Sequence, residues 1–237
     1  MKLDKVLFLG SYTSRSQSYA QALSNAGLHP KHVLLFGTEG GSLPGQGQAK
    51  GFTNGMKDLF IPDFSEPLEE TVSRWGCGVD KICEQSINSA LIYECIKKIG
   101  PRMIIYSGYG GQIVGGKLLG IGIPFLHMHS GWLPDYKGST TLYYSWLKED
   151  YCAVSAIILA EKIDAGPIVA KKRYPPPRGV DPDYMYDNAI RADLLVSVLK
   201  DYSASGRFAN PEPQTNKGTY YYVIHPVLKH LARLQGN

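Results

Sequence analysis

Two histidines one residue apart, His127 and His129, stand at the end of an apolar run that begins at Pro124. On an extended strand, side chains two apart project to the same side, so both rings can serve one site. Imidazole changes charge near neutral pH, which suits it to proton transfer or to binding a metal. No third ligand at metal-site spacing lies near the pair, so no metal is expected. Further on, Glu161-Lys162-Ile163-Asp164-Ala165-Gly166-Pro167-Ile168 puts an aspartate into a turn that Gly-Pro fixes. Before the histidines, Ser107-Gly108-Tyr109-Gly110-Gly111-Gln112-Ile113 offers backbone N–H and C=O groups to a ligand at close range. Taken singly, these read as two satisfied histidines, Asp-Gly turn chemistry and a tight glycine turn. Their combination is what suggests a site.

These three stretches must be positioned, and the hydrophobic pattern says how. Lys5–Leu9, His32–Phe36, Met103–Tyr106, Pro124–Met128 and Ala153–Leu159 read as short buried strands. Helices are expected over Ser16–Ala26, up to Gly100-Pro101 (apolar residues at 87, 91, 92, 95, 96 and 99), and over Ser139–Lys148. Strands alternating with helices predict an α/β, Rossmann-like fold, with a mostly parallel sheet covered on both faces. In such sheets ligands bind beyond the carboxyl ends of the strands, where all three stretches fall. The dinucleotide fingerprint is absent: the glycine loop is not GxGxxG, and the next strand ends in His-Met-His instead of an acidic residue. Residues 1–174 form the expected core. Residues 175–237 read as a proline spacer, a helix over Asp181–Tyr202 and a C-terminal tail, packed on the core or on a partner subunit in a homodimer. Gly37–Gly55 is Gly-rich and aperiodic, of unassigned role.

The chain has 237 residues, 43% of them hydrophobic, enough to bury a sizeable core. No apolar run reaches the ~18 residues of a membrane span, and the start lacks a signal-peptide h-region, so a soluble, cytoplasmic protein is expected. A net charge of +4 without a basic stripe argues against nucleic acid as partner. Lys171-Lys172-Arg173 is the densest basic cluster. The 4 cysteines show no CxxC spacing and read as reduced thiols.

The order of a Gly-aromatic loop, a strand leading into His129-Ser130-Gly131-Trp132-Leu133-Pro134-Asp135-Tyr136-Lys137-Gly138, and an Asp164-Ala165-Gly166-Pro167-Ile168 turn resembles the folate-dependent formyltransferases. These include glycinamide ribonucleotide, methionyl-tRNA and nucleotide-sugar N-formyltransferases, and the match runs roughly from Met103 to Ala170. The resemblance places His129 on the family's catalytic histidine and Asp164 on its aspartate. Where the family normally has asparagine, this chain has His127, which can still donate a hydrogen bond. The formyl donor it implies is 10-formyltetrahydrofolate, with the pterin held by Tyr109, Gly111, Gln112 and Ile113 and by Glu161 and Ile163. Ser130, Tyr136 and Lys137 are expected to touch the amine substrate, with a solvated lysine as the alternative for Lys137. Formyl transfer would proceed by direct attack through a tetrahedral intermediate, without a metal.

For the acceptor, the methionyl-tRNA enzymes carry a further barrel domain of about 100 residues, which the segment after Pro177 cannot supply. The aromatic runs Leu142-Tyr143-Tyr144-Ser145-Trp146 and Tyr220-Tyr221-Tyr222 look like the small enzymes of bacterial surface sugars. A small-molecule amine, namely a nucleotide-linked amino-deoxy sugar, is therefore the expected substrate. Phosphoribosylglycinamide formyltransferase, formyl-folate hydrolase and an inactive binding protein on the same fold are the alternatives.

Overall fold

The computed structural model describes residues 3–38, 56, 58–215 and 217–235. Most of the Gly37–Gly55 loop therefore lies outside the described residues. β1 (Val6–Ser11) is buried along its whole length, which is why its sequence is continuously apolar where a half-exposed strand would alternate. The chain turns through α1 (Ser14–Asn25), whose N-terminus is capped by the Thr13 hydroxyl accepting from the Ser16 N–H. It returns as β2 (His32–Phe36), parallel to β1. α2 (Leu68–Ser73) leads to β3 (Gly78–Ile82), and α3 (Ala90–Ile99) ends at Gly100, which takes a left-handed φ of 59°.

β4 (Met103–Ser107) lies on the other side of β1, followed by α4 (Gly116–Leu119) and β5 (Phe125–His129). Then come β6 (Tyr136–Gly138), α5 (Thr141–Glu149), β7 (Cys152–Ile158) and β8 (Ile168–Tyr174). A π-helical turn at Pro182–Tyr186 opens α6 (Asp187–Ser205); β9 (Thr219–Tyr221) and α7 (Pro226–Gln235) close the chain. The seven-stranded sheet runs β3-β2-β1-β4-β5-β7-β8, and β6 pairs with β9 in a separate two-stranded sheet. Strand order reverses between β1 and β4, so the connections leaving them diverge and a crevice opens at their carboxyl ends.

Alternation along the strands sends Val6, Phe8, Val33, Leu35, Met103 and Ile105 to one face and Leu7, Leu9, Leu34, Phe36 and Ile104 to the other. The first face is covered by α1, α2, α5 and α6, the second by α3 and α4. The expected α/β fold with a mostly parallel, doubly covered sheet is the observed one. Its last two pairings, β5–β7 and β7–β8, are antiparallel. Among the described residues no helix is long and apolar enough to cross a membrane.

Several elements carry no clear sequence signal, for identifiable reasons. β3 is an edge strand, mostly exposed, with Asp80 and Lys81 in its short run. β8 contains Lys171-Lys172-Arg173, a typical edge-strand protection by charge. That basic cluster is locally engaged: Lys171 Nζ donates to Leu133 O at 2.9 Å, Lys172 pairs with Asp193 at 2.7 Å, and Arg173 lies 4.3 Å over Trp132. β6 and β9 pair across 80-odd residues, so nothing local announces them. Within residues 175–237, α6 carries Leu194, Leu195, Val198 and Leu199 into the main core.

The Asp164 turn is held by close backbone approach. A Cβ at Gly166 would lie 1.8 Å from Ile158 O, whereas one at Gly110 would meet nothing within 4 Å. Gly166→Ala should therefore lower the unfolding free energy by about 1–3 kcal/mol in urea denaturation, with Gly110→Ala close to wild type. Equal stability of the two variants would contradict this packing.

Candidate active site

β5 sends Leu126 and Met128 into the core, and the same alternation turns His127 and His129 toward the crevice. The Asp164 loop between β7 and β8 closes on them from the side. A cleft of about 670 Å³ results, with His127, His129 and Asp164 in its wall.

His129 is buried, and its Nε2 sits 2.7 Å from Tyr136 O. A carbonyl oxygen only accepts, so Nε2 carries a proton. Nδ1 faces Asp164 Oδ1 at 3.3 Å. The other carboxylate oxygen, Oδ2, accepts from the Gly138 N–H at 2.8 Å. Asp164 itself has a left-handed φ of 51°, a conformation aspartate tolerates better than most residues and one that recurs at functional sites. Burial pushes its carboxyl up, but the hydrogen bond and charge of His129 and the Gly138 amide outweigh burial and hold it down at about 2.

His127 is different. Burial, then the positive charges of Arg15 and Arg191 and of His129, push its pKa well below the usual value, against a weaker opposing pull from Asp164. At neutral pH it is an uncharged imidazole with one N–H donor and one acceptor. Its Nδ1 has no hydrogen-bond partner, nor does the buried Tyr106 Oη beside it, where the two rings lie 6.1 Å apart. A side cavity of about 100 Å³ shares Tyr106, Gln112, Ile113, His127, Ile163 and Asp164 with the cleft and is otherwise walled by Val114, Leu159 and Ala160.

The structure brings together His127, His129, Ser130, Asp164, Tyr109, Gly111, Gln112, Ile113 and Ile163 around the cleft. Gln112 is also a brace: its Oε1 accepts from Ile87 N at 3.0 Å and its Nε2 donates to Gln85 O at 2.6 Å. Ser130 donates to Asp187. Glu161, Tyr136 and Lys137 do not line the cleft. The Tyr136 hydroxyl donates to Glu149 and its ring stacks on Tyr221 at 5.3 Å, while Lys137 is buried with Nζ 5.7 Å over Tyr220. Tyr136 and Lys137 are neighbours on β6 and project to opposite sides, and neither side chain enters the cleft; of Tyr136 the site receives the carbonyl.

Sequence reading missed Tyr106, Arg15, Asp187 and Arg191, all of which line the cleft. A basic residue just after the first strand was an available hint for Arg15. Nothing local marks Arg191, whose Nε pairs with Asp187 at 2.8 Å and whose Nη1 donates to Met128 O at 2.6 Å. Among the described residues no group of three His, Cys, Asp or Glu could hold a metal ion.

No family model matches the chain. Over 129 residues it is 26% identical to a methionyl-tRNA formyltransferase of Finegoldia magna, covering 53% of this chain and 41% of that one. A second, from Halorhodospira halophila, is 27% identical over 159 residues, covering 65% and 49%. The chain thus spans less than half the length of these curated relatives. In fold it is similar to phosphoribosylglycinamide formyltransferase of Anaplasma phagocytophilum (TM-score 0.60, 12% identity, 94% of this chain and 100% of that one). It is also similar to Rv3404c of Mycobacterium tuberculosis, a protein inferred to be a sugar N-formyltransferase (TM-score 0.58, 14% identity, 98% and 87%). Relatives in sequence and neighbours in fold are formyltransferases, in agreement with the resemblance carried by the motifs.

The depressed Asp164 carboxyl makes a stability statement. A folded-state pKa of about 2 against 3.8 means the contribution is present above pH 4 and is lost as pH falls toward 2. The stability gap between wild type and Asp164→Asn should therefore change by about 2 kcal/mol between pH 5 and pH 2. A gap independent of pH in denaturation experiments would contradict the pairing.

Proposed function

We propose that the chain transfers the formyl group of 10-formyltetrahydrofolate to the amine of a nucleotide-linked amino-deoxy sugar. The observation that carries this reading is the His129–Asp164 pair beside an uncharged His127, at the junction of a wide cleft and a narrow apolar side cavity. The side cavity, walled by Ile113, Leu159 and Ile163 with Tyr106 Oη and His127 Nδ1 unpartnered beside it, suits one end of a heteroaromatic ring system. The donor supplies an activated formyl group on nitrogen. Everything else falls to the chain's own residues.

Attack of the amine on the formyl carbon forms one C–N bond and puts negative charge on the formyl oxygen. Departure of the folate nitrogen breaks the other. His127 at the junction donates to that oxygen, and being uncharged it does so as the amide of an asparagine would. The amine must lose a proton and the departing nitrogen must gain one. The His129–Asp164 pair takes the proton and returns it: with Nε2–H held by the Tyr136 carbonyl, the ring accepts at Nδ1, the nitrogen beside Asp164, whose carboxylate stays ionised throughout the physiological range and stabilises the imidazolium formed.

A sugar acceptor is favoured by the tyrosines lining the cleft, Tyr220, Tyr221 and Tyr222; the fold is shared alike with Rv3404c and with phosphoribosylglycinamide formyltransferase. Methionyl-tRNA is the competing acceptor, because the curated sequence relatives act under that name.

The purified protein should release tetrahydrofolate from 10-formyltetrahydrofolate only when an amino-sugar nucleotide is present. His129→Ala should lower kcat/KM by 10²–10⁴-fold. His127→Ala should cost 10²–10³ in kcat, whereas His127→Asn should stay within about tenfold of wild type, because it keeps a neutral donor. No turnover with any amine would sink the transferase. Formate release without an amine would make it a hydrolase, and turnover with methionyl-tRNA alone would replace the sugar.

A further inference from the structure

Asp164 stands in the left-handed region, and a residue other than glycine keeps such a φ only where its surroundings over-determine it. Much of that constraint comes from a late part of the chain. Tyr220 Oη donates to Ile163 O at 3.0 Å. Gln214 Nε2 donates to Asp164 O at 3.0 Å and to Gly166 O at 2.8 Å. Two side chains thus take the carbonyls of Ile163, Asp164 and Gly166. Both donors are anchored: Glu212 and Ile168 exchange main-chain hydrogen bonds at 2.8 Å, and Tyr220 sits in β9, which pairs with β6. The Gln214 Oε1 is buried without a hydrogen-bond partner. Reversing the amide would set that oxygen against two carbonyl oxygens, so the two acceptors fix its orientation. A buried acceptor left unpaired opposes folding. The fold keeps one here in return for two donors aimed at the Asp164 turn.

Rotation about φ of Asp164 moves its side chain and its carbonyl together, so a donor that holds the carbonyl also holds the carboxylate. That carboxylate faces His129 Nδ1 at 3.3 Å and takes the Gly138 N–H at 2.8 Å. We propose that Gln214 is a positioning residue for the reacting pair: its amide, with Tyr220 Oη beside it, holds the turn in the conformation that aims Asp164 at His129. Gln214 walls neither the cleft nor the side cavity, so it acts through Asp164 and not on a bound molecule. The hold on Asp164 stands on geometry alone; its consequence for turnover rests on the formyl-transfer reading.

Gln214→Met keeps an unbranched side chain of similar length and removes both donors. Tyr220→Phe removes one oxygen at a residue that is 42% exposed, and it carries the test if Gln214→Met fails to fold. Glu212→Ala, at an exposed side chain two residues from Gln214, is the control. Carbon-13 NMR of the side-chain carboxyls follows Asp164. In wild type it should titrate at about 2. Both variants should raise that value by about half a pH unit or more, because the carboxylate draws away from His129 and Gly138, and the control should match wild type. In the formyl-transfer assay Gln214→Met should lower kcat about tenfold or more and leave the acceptor KM within about twofold. Added to Asp164→Asn, it should change the residual kcat by less than about twofold, since both act through one carboxylate. The proposal is overturned if the Asp164 titration is unmoved in the variants, even with a lowered Tm, which would make Gln214 a structural contact only. It is overturned equally if the titration moves and kcat does not. Absence of turnover in wild type would instead remove the formyl-transfer reading, and the titration alone would then decide whether Gln214 positions Asp164.

Discussion

Asp164 ties together the ends of β5 and β6. One carboxylate oxygen takes the Gly138 N–H at the end of β6, and the other faces the ring of His129 at the end of β5. The far side of that ring is fixed by the Tyr136 carbonyl. A displaced Asp164 would leave the imidazole held through the Tyr136 carbonyl, and the Gly138 N–H without its acceptor. The turn carrying Asp164 is itself held by Gly166 against Ile158 O, and by Gln214, whose Nε2 donates to Asp164 O at 3.0 Å and to Gly166 O at 2.8 Å. A segment late in the chain thus secures a residue in the cleft wall.

Around this clasp the electrostatics separate two chemically identical side chains. His129 lies between a carboxylate and a carbonyl, with its Nε2 proton directed to the carbonyl. His127, on the same strand face, lies toward Arg15 and Arg191, which oppose protonation. Its environment keeps His127 a neutral donor. Burial is the larger cause of that neutrality, and the two arginines add to it.

Much of this was legible beforehand, and the reasons are particular. β1, β2, β4 and β5 are buried on both faces, so their apolar runs stand out, and the two-residue spacing of His127 and His129 fixed their common face. The Asp164–Gly166 turn was visible because aspartate, glycine and proline there each restrict the backbone. Long-range partnerships were not legible: β6 with β9, Arg191 with Met128 O, and the orphaned Tyr106 all depend on residues far apart in sequence. Tyr136 and Lys137 misled because their motif is conspicuous, while what it delivers to the site is main chain.

The central claim, that the junction beside His127 is where a folate formyl group meets His129 and Asp164, is tested most directly by a crystal structure with 5-formyltetrahydrofolate bound. The expected result is a pterin in the cavity walled by Gln112, Ile113, Leu159 and Ile163, with folate carbonyl or nitrogen atoms within hydrogen-bond reach of Tyr106 or His127. A folate bound elsewhere on the molecule, or a side cavity that excludes it, would contradict the claim.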